Sequence, residues 1–144
     1  MNTIHLKKLE NMYRCAPTNQ YYNPDIRIGD GIAEVVFPVK PDFFHSGNAV
    51  HGSVYFKALD DAAYFAVSSL VSECLLVTVS FNLHFIRPIS NGSIKAEGRV
   101  TQHGKKVSFA ESVLLDDRKK IIAKGSGTFV RSDKLLCEQI GYAL

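Results

Sequence analysis

Cysteine is scarce in this sequence. The 144 residues contain only Cys15, Cys74 and Cys137. An odd number of cysteines about sixty residues apart does not make a disulfide framework, and no pair has the CxxC spacing of a metal site. We therefore expect free thiols in a reducing compartment, which is typical of a cytoplasmic protein.

A long apolar run is also missing. The most apolar stretch, Ala58 to Val71, contains Asp60 and Asp61, whereas a membrane-spanning helix needs roughly 20 predominantly apolar residues. The first segment, Met1 to Arg14, lacks the apolar run and the small-residue cleavage site of a secretory signal. These observations predict a soluble cytoplasmic protein without a membrane partner.

Strong charge of one sign is absent too. Seventeen Lys and Arg residues against fourteen Asp and Glu residues give a formal net charge of +3, which falls short of the basic surface typical of nucleic-acid binding. A small polyanionic ligand suits this weakly basic balance better. The motifs GxSxG, GxxxxGK(S/T) and GxGxxG are missing as well, which argues against three large enzyme classes.

The composition of the chain, with 46% apolar residues, is that of one globular domain. Residues 1–30 are predicted to form an N-terminal helix, Asn2 to Tyr13, followed by a loop, and residues 31–130 to form the core. Period-two alternation predicts a strand from Gly31 to Lys40, and the apolar spacing from Val54 to Val71 predicts a buried helix. Four further strands are predicted at Leu75–Ile89, Ser93–His103, Lys106–Leu115 and Ile121–Val130.

This order of elements predicts an α+β fold in which an antiparallel sheet of about five strands wraps around one long apolar helix. The turns after the helix are short, so we expect successive strands to pair with each other. Such a sheet leaves its edges and its second face uncovered. A homodimer or a homotetramer would protect them.

The chemically capable residues gather around the start of the long helix. A helix start has free N–H groups and a positive dipole end, so the Gly52 amide could hold an oxyanion. On a helical wheel Asp60 lies at the border of the apolar arc, where partial desolvation raises the pKa of a carboxyl group and strengthens it as a base. Asp61 lies on the polar side, and we expect it to be solvated or at an interface.

Two further features of this region leave alternatives open. His45, His51 and Asp60 could ligate a metal, but a six-residue histidine spacing has no standard geometry, so neither a metal nor another cofactor is expected. The strand after the helix places its polar side chains on one face, as a substrate-facing row or as a solvent-facing strip. The alternation puts Val77, Val79, Phe81, Leu83 and Phe85 opposite Thr78, Ser80, Asn82 and His84.

The stretch from His45 to Asp60 resembles the acyl-CoA thioesterases of the hotdog fold, in particular the PaaI-like group of the 4-hydroxybenzoyl-CoA thioesterase superfamily. In that family an amide residue is followed, seven positions on, by a glycine in an HGG context, and an acid follows the glycine by eight positions. Here His51-Gly52-Ser53 matches HGG, and Asp60 stands eight residues after Gly52. The order of elements from Gly31 to Val130 also matches that fold.

The resemblance implies roles for particular residues. Asp60 would activate or replace the attacking water with help from Thr78, the Gly52 amide would polarise the thioester carbonyl, and His51 would lie near the thioester or cap the helix. His45 stands where the family has Asn or Gln, and it could donate one hydrogen bond. The candidate contacts to the acyl-CoA substrate are Ser80, Phe85, Ile86, Arg87, Pro88, His103, Gly104, Lys105 and Lys106.

Two departures from the family pattern keep other functions open. His45 replaces the amide residue and Ser53 replaces the second glycine, and either change could alter substrate choice or reduce activity. A non-catalytic acyl-CoA binding or sensing module is the main alternative. A hotdog hydratase is less favoured, because Gly29-Asp30 does not continue into the GDxNPxHxD pattern of those enzymes.

Overall fold

The computed structural model describes residues 2–144, which form one sheet and three α-helices. The helices are α1 (Thr3–Cys15), α2 (Asn19–Tyr22) and α3 (Gly52–Ser68), and two short 3₁₀ turns lie at Pro41–Phe43 and Glu138–Ile140. The strands are β1 (Asp25–Gly29), β2 (Ile32–Pro38), β3 (Cys74–Phe85), β4 (Ser93–Gln102), β5 (Val107–Leu115) and β6 (Ile121–Leu135).

The long helix α3 is buried because small apolar residues recur around most of its circumference. Ala58, Leu59, Ala62 and Ala66 are completely buried against the inner face of β2, β4 and β5. Close approach is possible because β4 has a glycine at the crossing, where a Cβ on Gly98 would clash with the carbonyl oxygen of Ala62. The helix begins two residues earlier and ends three residues earlier than predicted.

The sheet has six antiparallel strands in the order β1-β2-β4-β5-β6-β3. The expectation that successive strands pair is wrong for β3, which pairs with β6 instead of β4. The Ser90-Asn91-Gly92 segment therefore belongs to a crossover and is not a hairpin turn. Strand β3, with its twelve residues, is left at the edge of the sheet.

The sheet has one strand more than predicted, because β1 lies in the segment that the sequence pattern predicted to be a loop. Strand β1 pairs with β2 through a tight turn, in which Gly31 has a φ of 73°. Only Ile26 and Ile28 of β1 are buried. Apolar alternation over five residues, flanked by Pro, Asn and Gly, is too short to predict a strand.

A register shift in β3 changes which side chains face the helix. The pairing with β6 is irregular between Thr78 and Ser80, so the predicted alternation of β3 is interrupted there. Thr78 reaches α3, and three residues later the ring of Phe81 packs edge-on against Phe56 of α3 at 5.6 Å. Val77 and Val79 are exposed, contrary to the prediction that they share a face with Phe81.

The two ends of the chain pack together beside α3. The buried His5 ring of α1 contacts the hydroxyl of Tyr142 through Nδ1 (2.6 Å) and the carbonyl oxygen of Ser68 through Nε2 (2.8 Å). The N-terminal and C-terminal segments thereby form one wall against the side of α3 that faces away from β4. Within residues 2–144, no helix has both the length and the hydrophobicity needed to cross a bilayer.

Candidate active site

The Asp60 side chain of α3 is linked to β3 by a hydrogen bond. The hydroxyl of Thr78 donates to Asp60 Oδ1 at 2.9 Å. Burial raises the pKa of Asp60 to about 6, and the charge of Asp61 adds to the rise, while the Thr78 hydrogen bond and the charge of Lys57 oppose it. Asp60 is therefore an ionised carboxylate at neutral pH with a basicity suited to taking a proton from water.

Asp61 has a different environment from the one predicted. It is buried, forms an ion pair with Lys57 Nζ at 2.7 Å and accepts a hydrogen bond from the Tyr13 hydroxyl at 2.6 Å. The helical wheel placed Asp61 on the polar side, but α1 covers that side of α3, so the expectation of a solvated side chain is wrong. Burial raises the pKa of Asp61, and Lys57 and Tyr13 oppose that rise.

A cavity of about 820 Å³ opens beside Asp60. Its walls come from α3, β3, α1 and the C-terminal 3₁₀ turn, and both Asp60 and Thr78 line it. The apolar part of the lining consists chiefly of Met12, Tyr13, Tyr64, Phe65, Leu75 and Ile140. Sequence reasoning missed this cavity, because more than half of its lining residues come from terminal segments outside the predicted core.

Gly52 lies about two helical turns before Asp60, in a second cavity of about 620 Å³. It is the first residue of the helix, so its N–H has no partner within the helix. A Cβ on Gly52 would lie 2.9 Å from the ring of Phe85, which explains why a glycine fits best there. The remaining lining residues are His45, Val50, His51, Tyr55, Ile86, Arg87 and Pro88.

Both candidate histidines use Nδ1 for local contacts. The Nδ1 of His51 accepts a hydrogen bond from the Ser53 N–H at 3.0 Å and contacts its hydroxyl at 2.8 Å, so His51 is the N-cap of α3. The Nδ1 of His45 accepts from the Gly47 N–H at 2.9 Å. Both rings are exposed and line the second cavity, and in the described part of the chain neither Nε2 has a hydrogen-bond partner.

The predicted site residues form two groups within one chain. Gly52 and Asp60 are eight helical positions apart, about 12 Å at 1.5 Å per residue. Thr78 lies near the middle of β3, and Phe85, the last residue of the strand, is about 23 Å away at 3.3 Å per residue. A single copy of the chain therefore cannot place Asp60 and the Gly52 amide on the same carbonyl group.

The predicted substrate contacts divide in the same way. His103, Gly104, Lys105 and Lys106 form the turn between β4 and β5, which the pairing of Val107 with Val130, and of Val130 with Val77, places at the Thr78 end of the sheet. Phe85 to Pro88 lie at the other end.

Ser80 does not join either group. It lines a separate cavity of about 380 Å³ with Phe81, Asn82, Phe109 and Thr128. Within one chain the predicted substrate contacts therefore lie in three separate places.

The metal hypothesis requires His45, His51 and Asp60 to meet, and the structure keeps Asp60 at a different position along α3. Among residues 2–144, no group of three His, Cys, Asp or Glu side chains is arranged to hold a metal ion.

Comparison with known proteins agrees with this architecture. The family model described as Thioesterase superfamily matches residues 47–122. The chain is similar to "Putative esterase TV1331" of Thermoplasma volcanium, with 25% identity over 124 residues that cover 86% of this chain and 92% of that protein.

Two solved structures illustrate the likeness in fold. The PaaI protein from the phenylacetic acid degradation operon of Escherichia coli has a TM-score of 0.81 and 21% identity, covering 93% of this chain and 99% of that one. Thioesterase HI1161 from Haemophilus influenzae has a TM-score of 0.77 and 17% identity, covering 87% and 88%.

Proposed function

We propose that this chain, which belongs to the thioesterase superfamily, hydrolyses acyl-CoA thioesters to a free acid and CoA. The superfamily and the hotdog fold predicted from the sequence are confirmed. The observation that carries the proposal is the Asp60 carboxylate, which has a raised pKa, accepts a hydrogen bond from Thr78 and lies at the wall of a largely apolar cavity.

In the proposed reaction, the ionised Asp60 removes a proton from water as the water oxygen bonds to the thioester carbonyl carbon. The Gly52 N–H stabilises the resulting oxyanion. When the C–S bond breaks, CoA leaves as a thiolate and takes the proton back from Asp60. A free thiol has a pKa of about 8.5, so this leaving group needs little further acid assistance. Direct attack by Asp60 on the carbonyl is the alternative first step.

The proposed active unit contains two copies of the chain. The long strand β3 lies at the sheet edge with unpaired backbone groups, and it carries exposed apolar residues such as Val77, Val79 and Phe85. Antiparallel pairing of β3 with its copy about a two-fold axis between Phe81 and Asn82 brings Thr78 of one copy opposite Phe85 of the other. Asp60 of one copy then faces Gly52 of the partner subunit.

This arrangement also gives the two groups of predicted contacts a common substrate. The acyl group occupies the cavity beside Asp60, and the bound CoA moiety extends along Gly52 and Phe85 of the partner subunit. Arg87, Lys105 and Lys106 are exposed and can pair with its phosphates. The homodimer can stand alone or form part of a homotetramer. The three cysteines, all free, suit the proposed cytoplasmic location.

The direct test is thiol release from a panel of aromatic and aliphatic acyl-CoAs of increasing chain length, followed with a thiol-reactive dye. The proposal expects turnover of at least one acyl class by the wild-type protein and loss of that turnover in Asp60→Asn. Tight binding of acyl-CoA without thiol release in any class would contradict it.

One observation favours a second candidate, a non-catalytic acyl-CoA binding module. The residue in place of the family's amide, His45, is an exposed side chain whose Nδ1 already accepts from Gly47. If His45 cannot assist at the thioester, the cavities remain but the reaction slows. Calorimetric binding of a non-hydrolysable acyl-CoA analogue, combined with absent thiol release, would identify this function.

A further inference from the structure

Tyr64 makes an unusual contact with the strand that carries Thr78. It lies on α3 one turn after Asp60, and its hydroxyl donates to the carbonyl oxygen of Leu76 (3.0 Å) and accepts from the Leu76 N–H (3.1 Å). Both backbone groups of one strand residue thus bond to a single helix side chain. Burial raises the pKa of Tyr64 to about 12, so the hydroxyl keeps its proton and donates across the working pH range.

The surrounding structure leaves this part of β3 in need of support. The pairing of β3 with β6 is irregular between Cys74 and Leu76, and again between Thr78 and Ser80. The segment from Leu76 to Thr78 therefore lies between two interruptions of the ladder. The Tyr64 ring is itself fixed, since it packs edge-on against Phe129 of β6 at 6.1 Å.

We propose that Tyr64 is a positioning residue for the thioesterase reaction: by holding the Leu76 backbone against α3, it fixes the Thr78 hydroxyl at hydrogen-bonding distance from Asp60. The chain of contacts runs from Tyr64 to Leu76, along two residues of β3 to Thr78, and back to α3 at Asp60. Both ends of this loop lie on adjacent turns of one rigid helix. The effect of Tyr64 on turnover rests on the proposed function, whereas its effect on the position of Thr78 does not.

The effect of Tyr64 on the Thr78 hydroxyl can be measured through the ionisation of Asp60. Besides Thr78, the titratable and charged groups that line the Asp60 cavity from the elements around it are Lys57, Asp61 and Tyr64 on α3, Tyr13 and Cys15 on α1 and Glu138 in the C-terminal turn. Tyr64→Phe leaves the other charges in place and keeps the aromatic ring. A change in the ionisation of Asp60 therefore reports the position of the Thr78 hydroxyl, which favours the charged carboxylate.

The experiment titrates the Asp60 carboxyl carbon by NMR in the wild-type protein and in Tyr64→Phe, and measures kcat and KM against pH in both. We expect the Asp60 titration and the acid limb of kcat to move to higher pH in Tyr64→Phe. We also expect kcat at neutral pH to fall by about tenfold, less than the 10²-fold that a misplacement of about 1 Å can cost, with KM little changed.

Two comparisons separate positioning from a general loss of stability. In a Thr78→Val background, Tyr64→Phe should cause no further shift of the Asp60 titration, because the hydroxyl it positions is gone. Tyr142→Phe is the matched control, since it removes another tyrosine hydroxyl contact, the one to His5, and should leave the titration in place.

An unchanged Asp60 titration in Tyr64→Phe would overturn the inference, whatever the change in melting temperature. The NMR readout does not require turnover. A wild-type protein that hydrolyses no acyl-CoA, but whose Asp60 titration still moves in Tyr64→Phe, would contradict the proposed function and leave the positioning role of Tyr64 in place.

Discussion

The first half of α3 runs from Gly52 to Asp60, and its two ends differ in how much of the proposed site one chain supplies. At the Asp60 end, the carboxylate is partly buried, hydrogen-bonded to Thr78 and flanked by the buried Lys57–Asp61 ion pair. At the Gly52 end, the cavity is bordered by exposed side chains such as His45, His51 and Phe85. One chain thus supplies the full surroundings of Asp60, whereas it leaves the surroundings of Gly52 open to solvent.

The difference follows from what each group has to do. The basicity of Asp60 rises chiefly because neighbouring groups exclude water, and this requires walls from α1 and β3. A backbone N–H needs only the first turn of a helix, because its dipole and unpaired donors are present in any copy of the chain. In the proposed dimer, the Gly52 end can therefore remain open until the partner subunit and the substrate cover it.

The largest expected effect comes from Asp60→Asn, which removes the base and keeps the shape of the side chain. We expect kcat to fall by about 10²- to 10⁴-fold, the usual contribution of a general base. Binding of a non-hydrolysable acyl-CoA analogue should persist, and calorimetry can measure it.

Asp61→Asn is the neighbouring control, and the structure changes what it should show. Because Asp61 pairs with Lys57 and Tyr13 in the protein interior, this variant should lose stability, on the order of 3 kcal/mol, yet keep turnover at a temperature where it is folded. Circular dichroism gives the first quantity and thiol release the second. An inactive but folded Asp61→Asn would reverse the assignment of the two carboxylates.

At the Gly52 end, two substitutions both add a Cβ beside Phe85, and only one of them removes the backbone hydrogen-bond donor. Proline is tolerated at the first position of a helix, and His51 has the extended backbone (φ −66°, ψ 145°) that a following proline requires. Gly52→Pro removes the N–H and should lower kcat by about 10²- to 10³-fold. Gly52→Ala keeps the N–H and crowds Phe85, so its smaller loss measures the steric part. Equal losses would show that the amide has no role.

The smallest expected effects concern pH. Activity should fall as the pH drops through about 6, where Asp60 takes up a proton, and the acid limb of kcat should report this. A profile that stays flat between pH 5 and pH 8, a range of about three units around this value, would contradict Asp60 as the base.

Stability should change with pH in the opposite direction. The pKa of Asp60 is raised from 3.8 to about 6 by folding, so the native state holds a proton that the unfolded chain has lost in this range. The corresponding stability is complete below about pH 4 and is lost as the pH rises through about 6, by at most about 3 kcal/mol. Asp60→Asn should therefore melt at a higher temperature than wild type at pH 8, with a smaller difference at pH 4.

The sequence predicts those features that depend on local order. The apolar spacing defines α3, and the helix period places Asp60 at the border of the buried arc, as the structure confirms. The Gly52 position at the helix start follows from the same local pattern. These features need no knowledge of distant contacts.

Features that depend on distant contacts could not be predicted. The pairing of β3 with β6 is non-local, the irregularity at Thr78 and Ser80 shifts the strand's alternation, and the burial of Asp61 results from α1 lying across α3. Tyr64 carried no signal in the sequence, since an aromatic residue in an apolar helix is ordinary. Its role depends on where its hydroxyl meets the backbone of another element.

The measurement that tests the two-copy site most directly mixes two inactive variants. Asp60→Asn and Gly52→Pro are carried on separately tagged chains, co-expressed, and the mixed dimers are purified through both tags. If each site takes Asp60 from one copy and Gly52 from the other, one of the two sites in a mixed dimer is intact. The account predicts that purified mixed dimers recover about half of the wild-type turnover per dimer, while dimers of either variant alone stay inactive. Mixed dimers as inactive as their parents would show that each site lies within one chain, and would contradict it.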